Sequence, residues 1–258
     1  MTNGAGAVTA FLILAALAPT LIWFVKADCA DYAAFKRLTR PEDRQARFRV
    51  WLIRSVILFA LASIAALAFV GRLEALWALP AEFADALPVS LVPEDQGSAS
   101  SGILIGIGVA LTFGAVLGAF LPRLYGEKPA GVGDIDALMP RNAVERRFAF
   151  LLSLSAGIGE EIYFRLMLPL LLVLAGLQPL AAFAVAAVIF GLVHLYQGWK
   201  GVIATGAMGA FMSFIYILSG SLWLVVLIHV LLDLNGLFLR PFLARRFGKS
   251  EEADQAQA

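Results

Sequence analysis

The sequence predicts an all-α fold, a polytopic bundle of about seven transmembrane helices. Of its 258 residues, 60% are hydrophobic and 15% are charged, whereas soluble domains have about 45–50% and about 25%. The apolar residues form runs long enough to cross a bilayer as helices. Basic residues collect in alternate connecting segments, as they do in the cytoplasmic loops of membrane proteins. The formal net charge of +1 gives no electrostatic basis for binding nucleic acid.

The first 146 residues carry three predicted spans, at residues 7–25, 50–70 and 102–121. No basic residue precedes the first span and no small-residue cleavage pattern clearly ends it, so we expect it to be retained. Arg54 lies one turn inside the second span, and we interpret it as a snorkelling side chain. The third span has small residues at every fourth position, a pattern typical of close helix packing. These residues are Gly102, Gly106, Ala110, Gly114 and Gly118.

The rest of the chain is predicted to hold a second bundle and a tail. Residues 147–240 form the bundle, and Pro169 is expected to kink its first helix. Residues 241–258 begin basic and end acidic and polar, which predicts a cytoplasmic tail. The four spans of this bundle are predicted at residues 148–175, 179–195, 201–218 and 222–239.

The charge of the loops predicts the orientation of the chain. Residues 26–49 contain seven Lys and Arg and residues 123–147 contain five, whereas residues 71–101 contain one. Basic loops mark the cytoplasmic side of a membrane. Seven spans then place the N-terminus outside and the C-terminus in the cytoplasm, and we predict a multi-pass protein of the cytoplasmic membrane.

Three charged residues stand together in an otherwise apolar run, Glu160-Glu161-x-x-x-Arg165. An unpaired charge inside a bilayer costs about 3 kcal/mol or more, so these groups must be neutralised or used. Glu161 and Arg165 are four residues apart on one helix face, with the acid first, which favours an ion pair. Glu160 lies about 100° around the helix, and we interpret it as the carboxylate left over for chemistry.

The two histidines of the chain lie in two further patterns, Phe190-x-x-x-His194 and His229-x-x-x-Asp233. Polar groups inside a membrane face the bundle interior and pair with one another, so these residues could share one pocket with Glu160. Helix geometry places the acid and the imidazoles at depths that differ by about one to two turns. Each feature alone has a structural interpretation, and we expect Phe190 to pack in the core while also walling the pocket.

A pocket of this composition suits hydrolysis. A carboxylate in a low-dielectric site is a capable general base, and an imidazole beside it can orient water and move a proton. A second imidazole can hold the developing oxyanion. The sequence predicts no cofactor. A zinc site with Glu160, His194 and His229 as ligands is a weaker alternative, because the helical His-Glu-x-x-His pattern is absent.

The order and spacing of these three patterns resembles the signature of the CAAX protease and bacteriocin-processing (CPBP, or Abi) family. This is a family of glutamic-type intramembrane endopeptidases, and the resemblance extends over about residues 147–240. It implies that Glu160 and His194 activate water, and that Glu161 and Arg165 support the site. It also implies an oxyanion hole formed by His229 and the residue at position 233.

Position 233 departs from the family pattern, because the best-known members have Asn there and this chain has Asp233. A carboxylate cannot donate a hydrogen bond unless it is protonated. Two roles therefore stay open for Asp233: it donates to the oxyanion in its protonated form, or it only orients His229 and leaves the imidazole as the only donor.

The resemblance also implies a substrate, which is a membrane-associated protein or peptide. It would be a CAAX-type tail, a C-terminal sorting tail or a peptide undergoing maturation. Two alternatives from other classes stay open, a proton-coupled transporter and a non-catalytic immunity-like or scaffold protein. The sequence leaves the oligomeric state open.

Overall fold

The structure is a computed structural model that describes residues 4–86, 101–103, 106, 134–239 and 241–242. Within these ranges every regular element is a helix. Short 3-10 turns at Leu73–Leu76, Ala81–Ala86, Asp136–Leu138 and Leu195–Gln197 connect the longer helices. The helices are α1 (Gly4–Phe35), α2 (Pro41–Phe69), α3 (Ala143–Glu161), α4 (Leu168–Leu174), α5 (Pro179–Val193), α6 (Gly198–Ser219) and α7 (Leu222–Leu234).

Among the described residues, four helices are long and apolar enough to cross a membrane, namely Gly6–Phe35, Pro41–Phe69, Leu195–Ser219 and Leu222–Leu239. The prediction of an all-α fold with several candidate membrane spans is therefore confirmed for this part of the chain. The count of seven spans and the orientation of the termini stay predictions. Most of the third predicted span and of the polar tail lies outside the described residues.

Several helix ends are defined by local capping interactions. The Asn142 side chain accepts a hydrogen bond from the Glu145 amide and caps α3, and the Ser221 side chain accepts one from the Leu224 amide and caps α7. Gly220 ends α6 with φ +64°, a left-handed conformation that glycine adopts without a steric penalty.

The helix that carries the acidic motif changes its winding beside that motif. A π-helical turn, Ile162–Met167, joins α3 to α4 and begins directly after Glu161. Pro169 has no amide hydrogen to donate to the carbonyl of Arg165, so the regular ladder is interrupted where the sequence predicts an irregularity. Such π turns often occur at functional sites.

Helix α3 lies at the centre of the bundle, between α2 and α7. A Cβ atom added at Gly157 would lie 2.4 Å from the Val230 side chain, and one at Gly159 would lie 3.1 Å from the Ala60 amide nitrogen. A side chain at Gly157 would overlap Val230, and one at Gly159 would require α2 to move by a few tenths of an ångström. The two glycines therefore bring α2 and α7 against the turn that presents Glu160.

A buried ion pair fastens the first turn of α3 to α2. The Arg44 and Glu145 side chains are almost fully excluded from solvent, and Arg44 Nη2 lies 3.1 Å from Glu145 Oε2. Arg44 also donates hydrogen bonds to the carbonyl groups of Ala137 and Met139. Burial alone would raise the pKa of the Glu145 carboxyl, but hydrogen bonds from Arg44 and the Arg141 amide outweigh it and hold that pKa below its usual value.

The interpretation of Arg54 as a snorkelling side chain is wrong. Its guanidinium pairs with two carboxylates of α1, Asp28 at 2.6 Å and Asp31 at 2.9 Å, and only 12% of the side chain is exposed. Asp31 also pairs with Arg47 at 2.6 Å. The aliphatic stem could have carried the charge toward water, but two acids on the neighbouring helix provide a closer partner.

Candidate active site

Side chains from all three predicted motifs line one cavity of about 340 Å³. Glu160 comes from α3, His194 directly follows α5, and His229 and Asp233 come from α7. The Glu160, His194 and His229 side chains are 13%, 15% and 12% exposed. The predicted convergence on one pocket is therefore confirmed, and the packing of the helices removes the difference in depth that their sequence positions suggested.

The Glu160 carboxylate faces the His194 ring across a gap that fits one water molecule. Glu160 Oε2 and His194 Nε2 are 4.0 Å apart, which is too far for a direct hydrogen bond. A water with hydrogen bonds of about 2.8 Å to both atoms would hold them about 4.0–4.5 Å apart. Among the described residues, Glu160 Oε2 has no hydrogen-bond partner.

The backbone fixes which nitrogen of His194 faces this gap. His194 Nδ1 lies 2.8 Å from the Phe190 carbonyl oxygen, which is left free because α5 ends at Val193. A carbonyl only accepts, so Nδ1 carries the hydrogen and Nε2 of the neutral ring presents its lone pair. Glu160 and His194 are therefore two acceptors on either side of the gap.

Glu161 is fully buried and joins two positively polarised groups. Its Oε2 pairs with Arg165 Nε at 3.0 Å, which confirms the predicted pair. Its Oε1 accepts a hydrogen bond of 2.5 Å from His229 Nδ1, a contact that the sequence did not predict. Because Glu161 and His229 are 68 residues apart, local spacing carries no signal for this bond.

Asp233 makes no direct hydrogen bond with His229, and its role stays a prediction. Asp233 Oδ1 lies 3.9 Å from His229 Nε2, beyond hydrogen-bond range, whereas Glu161 holds the other ring nitrogen. Asp233 stays a member of the cavity wall, and its side chain is 35% exposed. Its charge lies beside the face of His229 that points into the cavity.

Phe190 is core, as predicted, but it does not wall the cavity. It is 4% exposed, and the Arg165 guanidinium carbon lies 4.2 Å above its ring centroid, a cation–π contact. Its ring lies 4.8 Å from the His194 ring and 6.3 Å from the His229 ring. Phe190 therefore packs against both imidazole rings from outside the cavity.

Several cavity residues were missed from the sequence. Tyr196 and Gln197 follow His194 in the short turn after α5, and their closeness to a motif histidine was the signal available. Much of the remaining lining comes from α1 and α2, including the Asp28–Arg54 pair and several aromatic rings. These rings are Phe24, Tyr32, Phe48, Trp51 and Phe59.

The described residues hold no group of three or more His, Cys, Asp or Glu side chains placed to bind a metal ion. One nitrogen of each imidazole is already engaged, His194 Nδ1 by a carbonyl and His229 Nδ1 by Glu161. The zinc alternative therefore gains no support from the geometry of this part of the chain.

Over the described residues, fold and site together define a helical protein with four candidate membrane spans and an acid–imidazole cavity. Residues 144–235 match the family model described as type II CAAX prenyl endopeptidase Rce1-like. This match confirms the resemblance to the CPBP family for the segment that carries all three motifs. The matched family is one of proteases, which supports peptidase activity and implies a membrane-associated protein substrate. No curated protein and no solved structure matches the chain significantly.

Proposed function

We propose that this protein is a glutamic-type intramembrane endopeptidase that hydrolyses a peptide bond in a membrane-associated protein or peptide. The observation that carries the proposal is the 4.0 Å gap between Glu160 Oε2 and His194 Nε2. Two acceptors face each other there on the wall of a cavity. A water in the gap donates one hydrogen to each of them, and its lone pair is left to attack a substrate carbonyl.

The reaction then needs two proton transfers, one from the water to Glu160 and one from Glu160 to the leaving nitrogen. As the water oxygen bonds to the carbonyl carbon, Glu160 takes its proton with the help of His194, and the carbonyl oxygen becomes an oxyanion. When the C–N bond breaks, this proton returns to the nitrogen of the leaving amine. The products are a carboxylic acid and an amine, and Glu160 is again an ionised carboxylate.

His229 is the proposed donor to the oxyanion. With Nδ1–H bonded to Glu161, the ring can also donate from Nε2 only as an imidazolium. Glu161 and Asp233 balance the positive charge of that imidazolium on either side, and Arg165 in turn balances Glu161. Glu161 and Arg165 therefore act through His229, by orienting it, and do not themselves touch the substrate.

The first experiment compares the wild type with Glu160→Gln. The amide keeps the size of the side chain but cannot serve as a base, so we expect cleavage to fall by about 10²–10⁴-fold. Proteomic mapping of membrane-protein termini in cells with each form identifies the substrate. Purified protein in liposomes is then tested on that substrate and on a farnesylated peptide with a CAAX-type terminus.

The matched control is Glu42→Gln, because the Glu42 side chain is 71% exposed and does not line the cavity. It should leave cleavage unchanged. Wild-type cleavage by the Glu160→Gln form would refute the proposed mechanism. A cellular phenotype that persists without cleavage would instead favour the scaffold alternative, and ion uptake by the liposomes would favour the transporter.

A further inference from the structure

The proposed oxyanion hole is short of hydrogen-bond donors. His229 supplies Nε2, but the Asp233 carboxylate accepts hydrogen bonds unless it is protonated. Arg165 is 1% exposed at its side chain and does not contribute to the cavity wall. Stabilising a developing oxyanion depends on donors aimed at it in advance, so a second donor in the cavity lining would complete the site.

Tyr196 lines the same cavity as Glu160, His194 and His229. Its ring centroid is 6.0 Å from that of His194, and the two rings are inclined by only 33°. Tyr196 is therefore held beside His194, which faces the Glu160 carboxylate across the gap.

Gln197 determines what the Tyr196 hydroxyl can do. The Gln197 side-chain amide donates a hydrogen bond of 3.0 Å to the hydroxyl oxygen, which occupies one of its acceptor positions. A tyrosine hydroxyl has one hydrogen to donate. Within the described residues this hydrogen has no protein acceptor within bonding distance, so it is free to donate into the cavity.

We propose that the Tyr196 hydroxyl donates a hydrogen bond to the oxyanion at the substrate carbonyl, together with His229 Nε2, and that Gln197 holds it in place. This inference rests on the proposed function and adds a residue to the reaction. Tyr196 would perform at the cavity wall the donor role that Asp233 cannot perform as a carboxylate.

If Tyr196 had only a structural role, removing its hydroxyl while keeping its ring would leave catalysis unchanged. Its ring packs edge-on against Tyr32 of α1 at 5.2 Å, so it also joins α1 to the turn after α5. The Tyr196→Phe variant keeps the ring and this packing and removes only the hydroxyl. An effect on catalysis without an effect on stability would therefore come from the hydroxyl.

The test measures kcat and KM of wild type, Tyr196→Phe and Tyr216→Phe in liposomes on the peptide whose cleavage depends on Glu160. We expect Tyr196→Phe to lower kcat by about 100-fold and to leave KM within about twofold. Tyr216 is a matched control, because its hydroxyl is buried without a described partner and does not line the cavity. Both variants should unfold at the wild-type temperature.

A second readout uses a trifluoromethyl ketone analogue of the same peptide, whose hydrate mimics the tetrahedral intermediate. Tyr196→Phe should weaken its binding by the same factor as kcat. Adding Asp233→Asn to Tyr196→Phe should recover part of the lost kcat, because an amide can donate where the carboxylate cannot.

The outcomes separate this inference from the proposed function. Equal kcat in wild type and Tyr196→Phe, with Glu160→Gln inactive, overturns the role of Tyr196 and leaves the proposed function standing. A loss of kcat with unchanged affinity for the hydrated ketone also overturns it, since the hydroxyl would then not touch the oxyanion. Absence of any Glu160-dependent cleavage overturns both.

Discussion

Replacing Glu145 by Gln is expected to destabilise the protein strongly, although the site lies away from the cavity. The carboxylate accepts hydrogen bonds from Arg44, from the Arg141 amide at 3.0 Å and from the Asn142 side chain at 3.0 Å. The amide of Gln could replace some of these bonds, but it would leave the buried Arg44 charge without a counter-charge. Breaking a buried pair on one side costs about 3–5 kcal/mol. At about 2–4 °C per kcal/mol for a chain of this size, the apparent unfolding temperature should fall by about 6–20 °C.

The stability lost in Glu145→Gln should decrease as the pH is lowered. The pKa of Glu145 in the folded protein is held below its ordinary value of 4.5. Its contribution to stability is therefore complete above the unfolded pKa and disappears as pH falls through the lower, folded value. The difference between wild type and Glu145→Gln should be constant from about pH 6 to 7.5 and shrink steadily below about pH 4.5.

Thermal unfolding of both forms in the same detergent, at one scan rate from pH 3.5 to 7.5, measures this difference. Glu42→Gln is again the control, because an exposed carboxylate contributes little to stability. A difference below about 1 kcal/mol at neutral pH would contradict the assignment of the Arg44–Glu145 pair as a buried clamp. A difference that stays constant down to pH 3.5 would show that the carboxylate charge is not responsible.

Three further substitutions test the packing and the site. Arg54→Met leaves the partly buried Asp28 carboxylate without its partner and Asp31 with Arg47 alone, and it should lower the unfolding free energy by about 3–5 kcal/mol in denaturant titrations. Glu161→Gln frees the His229 ring and should lower kcat by about 100-fold with little change in KM; unchanged kcat would refute the orienting role. A Cβ atom at Gly191 would lie 2.7 Å from the Val202 carbonyl oxygen, so Gly191→Ala should cost about 1–3 kcal/mol, whereas Gly6→Ala, which meets no neighbouring atom within 4 Å, should be neutral.

Local spacing predicted those parts of the structure that depend on a single helix. The Glu161–Arg165 pair followed from the i,i+4 rule, and the helices followed from the length of the apolar runs. The convergence of Glu160, His194 and His229 followed from the cost of isolated polar groups in lipid. In each case the interaction either lies within one helix or follows from the cost of leaving a polar group unpaired in lipid.

Pairings between distant segments could not be predicted in the same way. The bond between Glu161 and His229, and the pairs of Arg54 with Asp28 and Asp31, each join two helices. The sequence does hold a weak signal for the second case, because Asp28 and Asp31 closely follow the first apolar run and Arg54 lies one turn inside the second. The snorkelling prediction for Arg54 rests on its own helix alone and takes no account of these two acids.

The cavity also shows where selection of the substrate should lie. The groups proposed for the reaction all fall within residues 144–235, which match the family model. Much of the remaining lining comes from α1, from α2 and from Ile135 and Leu138, which precede the match. These residues combine aromatic rings with the Asp28–Arg54 ion pair and the hydroxyl groups of Tyr32 and Ser55, so they present a mainly apolar surface with a few polar positions. A substrate bound as proposed must therefore fit both the reactive residues within the match and the lining residues that precede it. Changes in α1 and α2 should accordingly alter KM and substrate preference more than kcat, whereas changes at Glu160 or His194 should do the reverse.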